Sequence, residues 1–297
     1  MKVLITGASG LVGTVLQKSF AEKGYEMLLA SRKEPADDDH IQWSIEEGFA
    51  EPGKLEGIDA VVHLAGENVS GLRWTEEKKK AIRDSRVLGT RNVVDAISKL
   101  KNKPKVFVAA SAIGFYGTRG DEEVTESSAA GDNFLACVSK DWEAESRRAE
   151  DAGIRTVLVR TGIVLSKDGG ALGTMLTPFK LGVGGVVGSG KQWMSWISMD
   201  DHIAVINYVI ENENIRGAVN SVSPNPVTNQ EFTKTLGEVL YRPTFLPLPE
   251  FAVSMVFGEM GDALLLASTK VLPKRLEHAG FEFKFPNLKA AIENAVK

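Results

Sequence analysis

Three glycines near the start of the chain, Gly7, Gly10 and Gly13, have the spacing of a turn that could hold a phosphate. They follow a short apolar run at residues 3–5, which reads as a buried strand. Gly7 permits a tight exit from that strand, Gly10 lets the backbone approach a pyrophosphate, and Gly13 allows close packing of helix and strand. A helix beginning at Leu11 would direct unpaired N–H groups at the phosphates. The motif predicts a dinucleotide site formed by Gly7, Ser9, Gly10, Leu11, Val12 and Gly13.

Two cations, Arg32 and Lys33, follow the second predicted strand at residues 27–30. In NAD-binding folds an acidic residue at this strand end holds the adenosine ribose hydroxyls. This strand end carries the two cations instead, and a guanidinium suits a 2′-phosphate. The residues therefore predict NADP(H) as the cofactor, with a solvated basic turn as the alternative.

Tryptophans supply the candidates for a substrate site. Trp193 and Trp196 lie three positions apart, which fits either core packing or the wall of an apolar substrate slot. Trp74 is grouped with them as a substrate candidate. The nearby Gly190-Lys191 pair resembles part of a phosphate loop, but Gln192 stands where a magnesium-binding Ser or Thr is needed. Nucleotide hydrolysis is therefore not predicted.

These residues require a frame in which buried strands alternate with amphipathic helices, and the hydrophobic pattern supplies one. The pattern predicts an α/β, doubly wound parallel-sheet Rossmann fold with a smaller C-terminal substrate lobe. We assign residues 1–165 and 200–223 to the NADP-binding domain, and residues 166–199 and 224–297 to the substrate lobe. The predicted strands lie near 3–5, 27–30, 41–43, 58–65, 106–110, 155–159 and 220–223, and the predicted helices at 11–23, 76–98, 133–150, from 199, at 229–240, near 250–266 and at 287–296.

Composition narrows the function classes. At 297 residues the chain can bury roughly three quarters of its unfolded surface. Its net charge of −4 argues against a nucleic-acid partner. Cys137 is the only cysteine and the four histidines lack metal-ligand spacing, so neither disulfides nor a metal site is predicted. No apolar run approaches the ~18 residues of a membrane span, and the first residues are expected to form a strand. We expect a cytoplasmic protein with a small-molecule substrate, and a homodimer is left open.

Longer segments carry a family resemblance. The spacing G-x-x-G-x-x-G resembles that of the short-chain dehydrogenase/reductase superfamily. The segments HLAGENV at 63–69, SAIGFYG at 111–117, VRTGIVL at 159–165, GSGKQWMSWI at 188–197 and LPKRLEHAGFEFKFP at 272–286 resemble its atypical "epimerase family protein" group, which is NAD-dependent epimerase/dehydratase-like. The resemblance covers essentially the whole chain. It implies an extended Rossmann domain, NADP(H) binding and a C-terminal substrate lobe, but no particular reaction.

The resemblance also implies roles for individual residues. Arg32, the backbone of Leu64-Ala65-Gly66 and Arg86 would contact the cofactor, and Thr161-Gly162-Ile163 would pass beside the nicotinamide. In relatives with established chemistry, a serine at the place of Ser111 binds the substrate oxygen beside the tyrosine of a Tyr-x-x-x-Lys motif. The lysine holds the ribose and lowers the pKa of the phenol, so that the phenol can transfer a proton.

This chain keeps a lysine, Lys140, but Ala136 stands four residues before it, where the tyrosine is expected. Three alternatives follow. Lys140 holds the ribose while the proton comes from Tyr116, Glu67 or a water; or the site binds cofactor without rapid turnover; or Lys140 is a surface lysine. Cys137, next to the vacant position, is expected to be a small buried hydrophobic residue.

The leading hypothesis is an NADP(H)-dependent oxidoreductase or epimerase-like enzyme on an unidentified small substrate. The alternative is an NADP(H)-binding regulatory or interaction protein with a degenerate catalytic site. Ala136 favours the second, whereas the retention of Ser111, Lys140 and Glu67 favours the first.

Overall fold

Strands and helices alternate along the first two thirds of the chain, in a computed structural model that describes residues 1–35, 37–71 and 73–297. The strands are β1 (Lys2–Thr6), β2 (Glu26–Ser31), β3 (His40–Ser44), β4 (Gly48–Phe49), β5 (Ala60–His63), β6 (Val106–Ala112), β7 (Glu123–Val124), β8 (Arg155–Thr161), β9 (Ile163–Leu165), β10 (Trp193–Met194), β11 (Trp196–Ser198), β12 (Gly217–Ser221), β13 (Val227–Thr228) and β14 (Lys270–Val271). The helices are α1 (Leu11–Glu22), α2 (Glu76–Ser98), α3 (Phe134–Asp151), α4 (Gly170–Lys180), α5 (Met199–Glu211), α6 (Asn229–Leu240), α7 (Glu250–Phe257), α8 (Glu259–Leu264), α9 (Lys274–His278) and α10 (Leu288–Val296).

Within the described residues, the central sheet has eight strands in the order β12-β8-β6-β5-β1-β2-β3-β4. Its pairings are parallel except at the edge, where β4 runs antiparallel to β3. The chain passes from β1 to β2 on one side, and β5 then returns to the other side of β1. The crevice between the carboxyl ends of β1 and β5 is therefore a topological switch point, where such folds bind ligands. The predicted doubly wound fold is confirmed.

Helices cover both faces of this sheet, which explains why its strands are apolar without alternation. On one face, α1 and α5 pack on a cluster that contains Val3 and Ile5, which are fully buried. On the other face, α2 and α3 pack against each other, and Leu4 is fully buried in a second cluster. Both faces of β1 are thus closed to water, and the open end of the sheet is its carboxyl edge.

A smaller set of elements packs beside this edge. Strand β8 ends at Thr161, and after Gly162 the chain continues as β9, which pairs in parallel with β11 outside the central sheet. Helices α4, α6 and α10 surround a separate core that contains Trp196 and Phe232. Strand β7 pairs with β14, which comes much later in the chain. The division into two domains with the stated boundaries stays a prediction.

Helices α4 and α9 form where the sequence predicts no helix. Residues 169–190 are read from the sequence as a glycine-rich connection, yet α4 occupies Gly170–Lys180. Leu172, Leu176 and Phe179 lie on its buried side, at spacings of four and three residues. Pro178 inside the helix and the flanking glycines hide this pattern. Within the described residues, no helix is both long and apolar enough to cross a membrane.

Candidate functional site

The glycine turn joins β1 to α1 and contacts the loop that follows β5. Gly7 has a φ of +70°, and a Cβ there would lie 2.8 Å from backbone atoms of Leu64 and Ala65. A Cβ at Gly13 would lie 2.4 Å from the carbonyl oxygen of Gly7. Both positions therefore require glycine for the turn itself. Gly10 differs, because its φ is −78° and a Cβ there would meet only the Gly7 oxygen, at 3.2 Å.

The amino end of α1 has the features of an anion site. Gly10 occupies the N-cap position, and among the described residues no side chain caps the helix. Within the described residues, the first turn of α1 contains no acidic residue. The first N–H groups of the helix and its partial positive charge are thus available to a pyrophosphate. This arrangement fits the dinucleotide that the glycine spacing predicts.

A cavity of about 260 Å³ opens at this end of the sheet. It lies between the glycine turn, the carboxyl ends of β6 and β8, and the first turns of α5. The predicted residues Gly7, Gly10, Leu11, Val12, Gly13, Leu64, Ser111 and Thr161 line it. The other lining residues are Val108, Ala110, Val159, His202 and Ile206, of which His202 is a polar side chain that the sequence did not single out as a site residue.

Arg32 and Lys33 follow β2 and are exposed. Because Ala30 of β2 pairs with Thr6 of β1, Arg32 lies two residues beyond the level of Thr6, the last residue of β1. That position allows the two cations to reach a phosphate on the adenosine half of a dinucleotide. Their contact with the cofactor stays a prediction.

Arg86 lies under the loop after β5. Its Nη1 donates to the carbonyl oxygens of Glu67 and Ile82, each at 3.0 Å, and its guanidinium lies against Gly66. Burial lowers the pKa of Arg86 to about 10. The side chain therefore supports the backbone of the loop, and direct contact with a phosphate stays a prediction.

Ser111 lines the cavity and belongs to a buried set of polar side chains, here called the Arg160 network, which comprises Ser111, Glu143, Arg160, Tyr116 and Asn220. Its Oγ donates to Oε1 of Glu143 at 2.7 Å. Arg160 donates to both oxygens of Glu143, from Nε at 2.7 Å and from Nη2 at 2.8 Å. Glu143 and Arg160 are each 3% exposed. The hydroxyl proton of Ser111 therefore points to Glu143, and its lone pairs remain to accept a hydrogen bond.

Tyr116, a predicted proton donor, lies at the far end of this network. It is fully buried, and its Oη donates to Oδ1 of Asn220 at 2.6 Å and accepts from Nη1 of Arg160 at 2.9 Å. Burial raises the pKa of the phenol to about 12. Neither the burial of Tyr116 nor its raised pKa supports it as the proton donor.

Glu67 and Lys140, two further predicted catalytic residues, are not among the residues that line this cavity. Glu67 forms an ion pair with Lys78, with 2.6 Å between Oε1 and Nζ, and its side chain is 42% exposed. Lys140 is exposed on α3, whereas Ala136 on the same helix is fully buried. This placement favours the surface-lysine alternative. The prediction that Cys137 is buried is wrong, because its side chain is exposed.

The turn Thr161-Gly162-Ile163 connects the central sheet to the smaller elements. A Cβ at Gly162 would lie 2.5 Å from the carbonyl oxygen of Ser195, so only glycine fits there without a shift. Ile163 N donates to that same oxygen at 2.8 Å. The turn holds Thr161 at the cavity, and the contacts of Thr161, Gly162 and Ile163 with the nicotinamide stay predictions.

The three tryptophans do not share one role. Trp196 is fully buried in the core of the smaller elements, and its Nε1 donates to the carbonyl oxygen of Asn225 at 3.0 Å. Its assignment to a substrate wall is therefore corrected to core packing. Trp193 is partly exposed and donates from Nε1 to Asp121 at 2.8 Å. Trp74 packs against Phe134, with ring centres 5.3 Å apart. Substrate contact by Trp193 and Trp74 stays a prediction.

Two histidines are buried at the carboxyl edge of the sheet. His63 ends β5 and lies between two hydroxyls, 2.6 Å from Oγ1 of Thr6 and 2.9 Å from Oγ1 of Thr90. His202 lies on α5, with Nδ1 2.8 Å from Oγ of Ser221. Burial lowers the pKa of each imidazole to about 4. Both are therefore neutral in the folded protein at neutral pH.

These two histidines predict how stability depends on pH. An exposed histidine has a pKa near ~6.5, so between pH 6.5 and 4 the unfolded chain binds protons that the folded chain does not. The free energy of unfolding should therefore fall as the pH drops, by about 1 kcal/mol per histidine between pH 7 and 5.5. Urea unfolding at both pH values measures this. In His63→Gln the loss should be roughly halved, and an unchanged loss would contradict the assignment to His63.

Comparison with known proteins places these features in context. The model of the NAD dependent epimerase/dehydratase family matches residues 3–220, and that of a domain of unknown function, DUF1731, matches residues 248–295. The epimerase family protein YfhF of Bacillus subtilis is 38% identical, over 100% of this chain and 98% of its own length. Human epimerase family protein SDR39U1 is likewise 38% identical, over all of both chains.

Solved structures of similar proteins agree with these family and sequence matches. The crystal structure of human SDR39U1 (isoform 2) with NADPH matches with a TM-score of 0.92 at 36% identity, covering 99% of each chain. A structure described as the nucleoside-diphosphate sugar epimerase of Corynebacterium glutamicum matches with a TM-score of 0.83 at 36% identity, over 100% of this chain and 58% of that one.

Proposed function

The chain belongs to the NAD dependent epimerase/dehydratase family, and on that premise we propose that it is an NADP(H)-dependent oxidoreductase or epimerase-like enzyme acting on a small molecule. The observation that carries this proposal is the amino end of α1, which lies at a cavity at the carboxyl edge of the sheet. Within the described residues, no side chain caps this helix end. Gly10 and the N–H groups after it would hold the pyrophosphate. The cofactor would supply or accept a hydride beside Ser111.

Arg32 supports NADP(H) over NAD(H), and human SDR39U1, at 36% identity, was crystallised with NADPH. Replacing Arg32 with alanine is expected to weaken NADPH binding by roughly ten- to a hundredfold, because a charge-assisted hydrogen bond contributes about 1.5–3 kcal/mol. The affinity for NADH, which lacks the 2′-phosphate, should hold and serves as the control. Calorimetric titration of both cofactors decides the question. Equal affinities of the unmodified protein for NADPH and NADH would count against the assignment.

Ser111 supports a substrate with a hydroxyl group. Since its own proton points to Glu143, its oxygen can accept a hydrogen bond from a hydroxyl that enters the cavity. The Arg160 network fixes this polarity, because Arg160 holds both carboxylate oxygens of Glu143 in place. In this proposal Ser111 orients the hydroxyl whose carbon exchanges the hydride.

A second candidate is an NADP(H)-binding regulatory or interaction protein. The specific observation in its favour is that the predicted proton-transfer groups are poorly placed: Tyr116 is fully buried and Glu67 is ion-paired. Positioned proton transfer typically contributes about 10²–10⁴-fold to a rate, so a site without it would turn over slowly. The two candidates share the cofactor site and differ in turnover. A cytoplasmic location and a homodimer also remain predictions.

Binding and turnover assays on the purified protein distinguish the enzyme from the regulatory or interaction protein. NADPH binding is measured first, by calorimetry and by the shift in melting temperature. NADP⁺ reduction is then followed with a panel of alcohols and nucleoside diphosphate sugars, and NADPH oxidation with a panel of carbonyl compounds. The nucleotide sugars are included because of the description of the Corynebacterium relative. Turnover that falls in Ser111→Ala supports the enzyme. Tight binding without turnover supports the second candidate, and absence of NADP(H) binding contradicts both.

A further inference from the structure

His202 is a polar side chain of the cavity that the proposed function does not use. It lies in the first turns of α5, is 2% exposed, and lines the cavity together with Ser111 and Thr161. The next residue toward the amino end, Asp201, anchors this turn: its carboxylate accepts from the backbone N–H groups of Lys284 and Phe285, at 2.7 and 3.0 Å. The imidazole is therefore held at the cavity by a fixed helix end.

The hydrogen bond at Nδ1 determines which ring nitrogen of His202 carries the proton. Nδ1 lies 2.8 Å from the hydroxyl of Ser221, which is fully buried. A buried hydroxyl needs an acceptor for its proton, and among the described residues Nδ1 is the acceptor within reach of this one. Ser221 thus donates to Nδ1, and the neutral ring carries its proton on Nε2. In the described chain no protein atom accepts from Nε2.

The other polar side chains of the cavity have the opposite polarity. Ser111 donates its proton to Glu143, and Oγ1 of Thr161 donates to the carbonyl oxygen of Val159 at 3.2 Å. Both hydroxyls can therefore only accept from a ligand. The cavity combines one imidazole donor with hydroxyl acceptors, between walls formed by Val108, Val159 and Ile206. With Ser111 assigned to the substrate hydroxyl, a flat ring that bears a primary carboxamide has groups that match the rest: an oxygen acceptor for the imidazole and an NH₂ donor for Thr161.

A dinucleotide on this sheet would bring such a group here. With the pyrophosphate at Gly10 and the adenosine toward the end of β2, the second half of the molecule runs across the switch point toward β6 and β8. Resting on the proposed function, we propose that His202 recognises the nicotinamide carboxamide, by donating from Nε2 to its oxygen. His202 is then a binding residue for the nicotinamide half of the cofactor, and Ser221 is the positioning residue that sets its tautomer.

Two ligands distinguish recognition of the nicotinamide from a purely structural role of His202. NADP⁺ carries the carboxamide, whereas 2′-phospho-ADP-ribose keeps the adenosine, the 2′-phosphate and the pyrophosphate but lacks the nicotinamide. His202→Leu is expected to weaken NADP⁺ binding by about five- to tenfold, the range of one neutral hydrogen bond. Its affinity for 2′-phospho-ADP-ribose should stay within about twofold of the unmodified protein's. His202→Gln, whose amide can donate from a similar place, should recover most of the NADP⁺ affinity.

A third ligand tests which atom is recognised. The 3-acetylpyridine analogue of NADP⁺ keeps the carbonyl oxygen but lacks the amide nitrogen, so His202→Leu should weaken its binding as much as that of NADP⁺. Calorimetric titration of all three ligands gives the result. Unchanged NADP⁺ affinity in His202→Leu, or an equal loss for 2′-phospho-ADP-ribose, overturns the inference while the proposed function stands. If the unmodified protein binds neither NADP⁺ nor NADPH, the proposed function itself fails.

Discussion

Replacing Gly10 with valine is expected to abolish NADPH binding while preserving most of the free energy of unfolding. The backbone at Gly10 has a φ of −78°, which any residue can adopt, and a Cβ there would meet only one protein atom, at 3.2 Å. The valine side chain would instead fill the space over the helix end that a pyrophosphate needs. We expect affinity to fall by more than about a hundredfold, equivalent to about 2.7 kcal/mol. Calorimetry for binding and urea unfolding for stability check both halves.

Gly13→Val is the matched variant. A Cβ at Gly13 would lie 2.4 Å from the carbonyl oxygen of Gly7 and 2.7 Å from that of Ala8, so this substitution forces the turn itself to move. It should therefore lose stability as well as NADPH binding. The proposed site is contradicted if Gly10→Val binds NADPH normally, and the close packing of the turn is contradicted if Gly13→Val is as stable as Gly10→Val.

Arg160→Met is expected to destabilise the folded protein by about 3–5 kcal/mol, the usual cost of leaving a buried charge without its partner. Glu143 is 3% exposed, and Arg160 occupies both of its oxygens. Without the guanidinium, the carboxylate keeps Ser111 as a close partner and only a distant one in Arg147, at 3.5 Å. Urea unfolding at pH 7 measures the change.

Arg148→Met provides the control for this substitution. Arg148 also forms two ion pairs, with Asp95 at 2.7 Å and Glu145 at 2.8 Å, but 44% of its side chain is exposed. Exposed ion pairs contribute between zero and about 1 kcal/mol, so the loss should stay in that range. In the double variant Arg160→Met with Glu143→Leu, stability should recover, because no buried charge remains. Equal losses of stability in Arg160→Met and Arg148→Met would contradict the inference that burial makes the Arg160–Glu143 pair costly to break.

The sequence predicts the frame of the molecule well where the signal is local. The strands β1 and β6 and the helices α2 and α6 form where the hydrophobic pattern predicts them. Helix α4 was missed because Pro178 and its glycine neighbours obscure a three-turn pattern. The short pairs β7–β14 and β10–β13 could not be predicted, since two-residue strands carry no periodic signal and their partners lie far along the chain.

The site shows the same division between local and long-range signals. The glycine turn is a local motif, so its residues could be placed at the cavity from spacing alone. Tyr116 could not be placed, because its burial depends on Arg160 and Asn220, which lie 44 and 104 residues later. His202 has a local sequence signal: with Val205, Ile206 and Val209 it forms a helical stripe at spacings of three, four and seven residues, which indicates an inward-facing position.

The pairing of β7 with β14 has a consequence for how the chain reaches its folded state. Lys270 and Glu123, at the start of this two-strand pair, are 147 residues apart. During synthesis on the ribosome, the segment around β7 therefore lacks its partner strand for about 7–30 s, at roughly 5–20 residues added per second. Contacts of such long range close late and slowly, because the intervening chain must first be ordered. Val124, fully buried against β14 in the finished fold, would be exposed to chaperones and to other nascent chains throughout that interval.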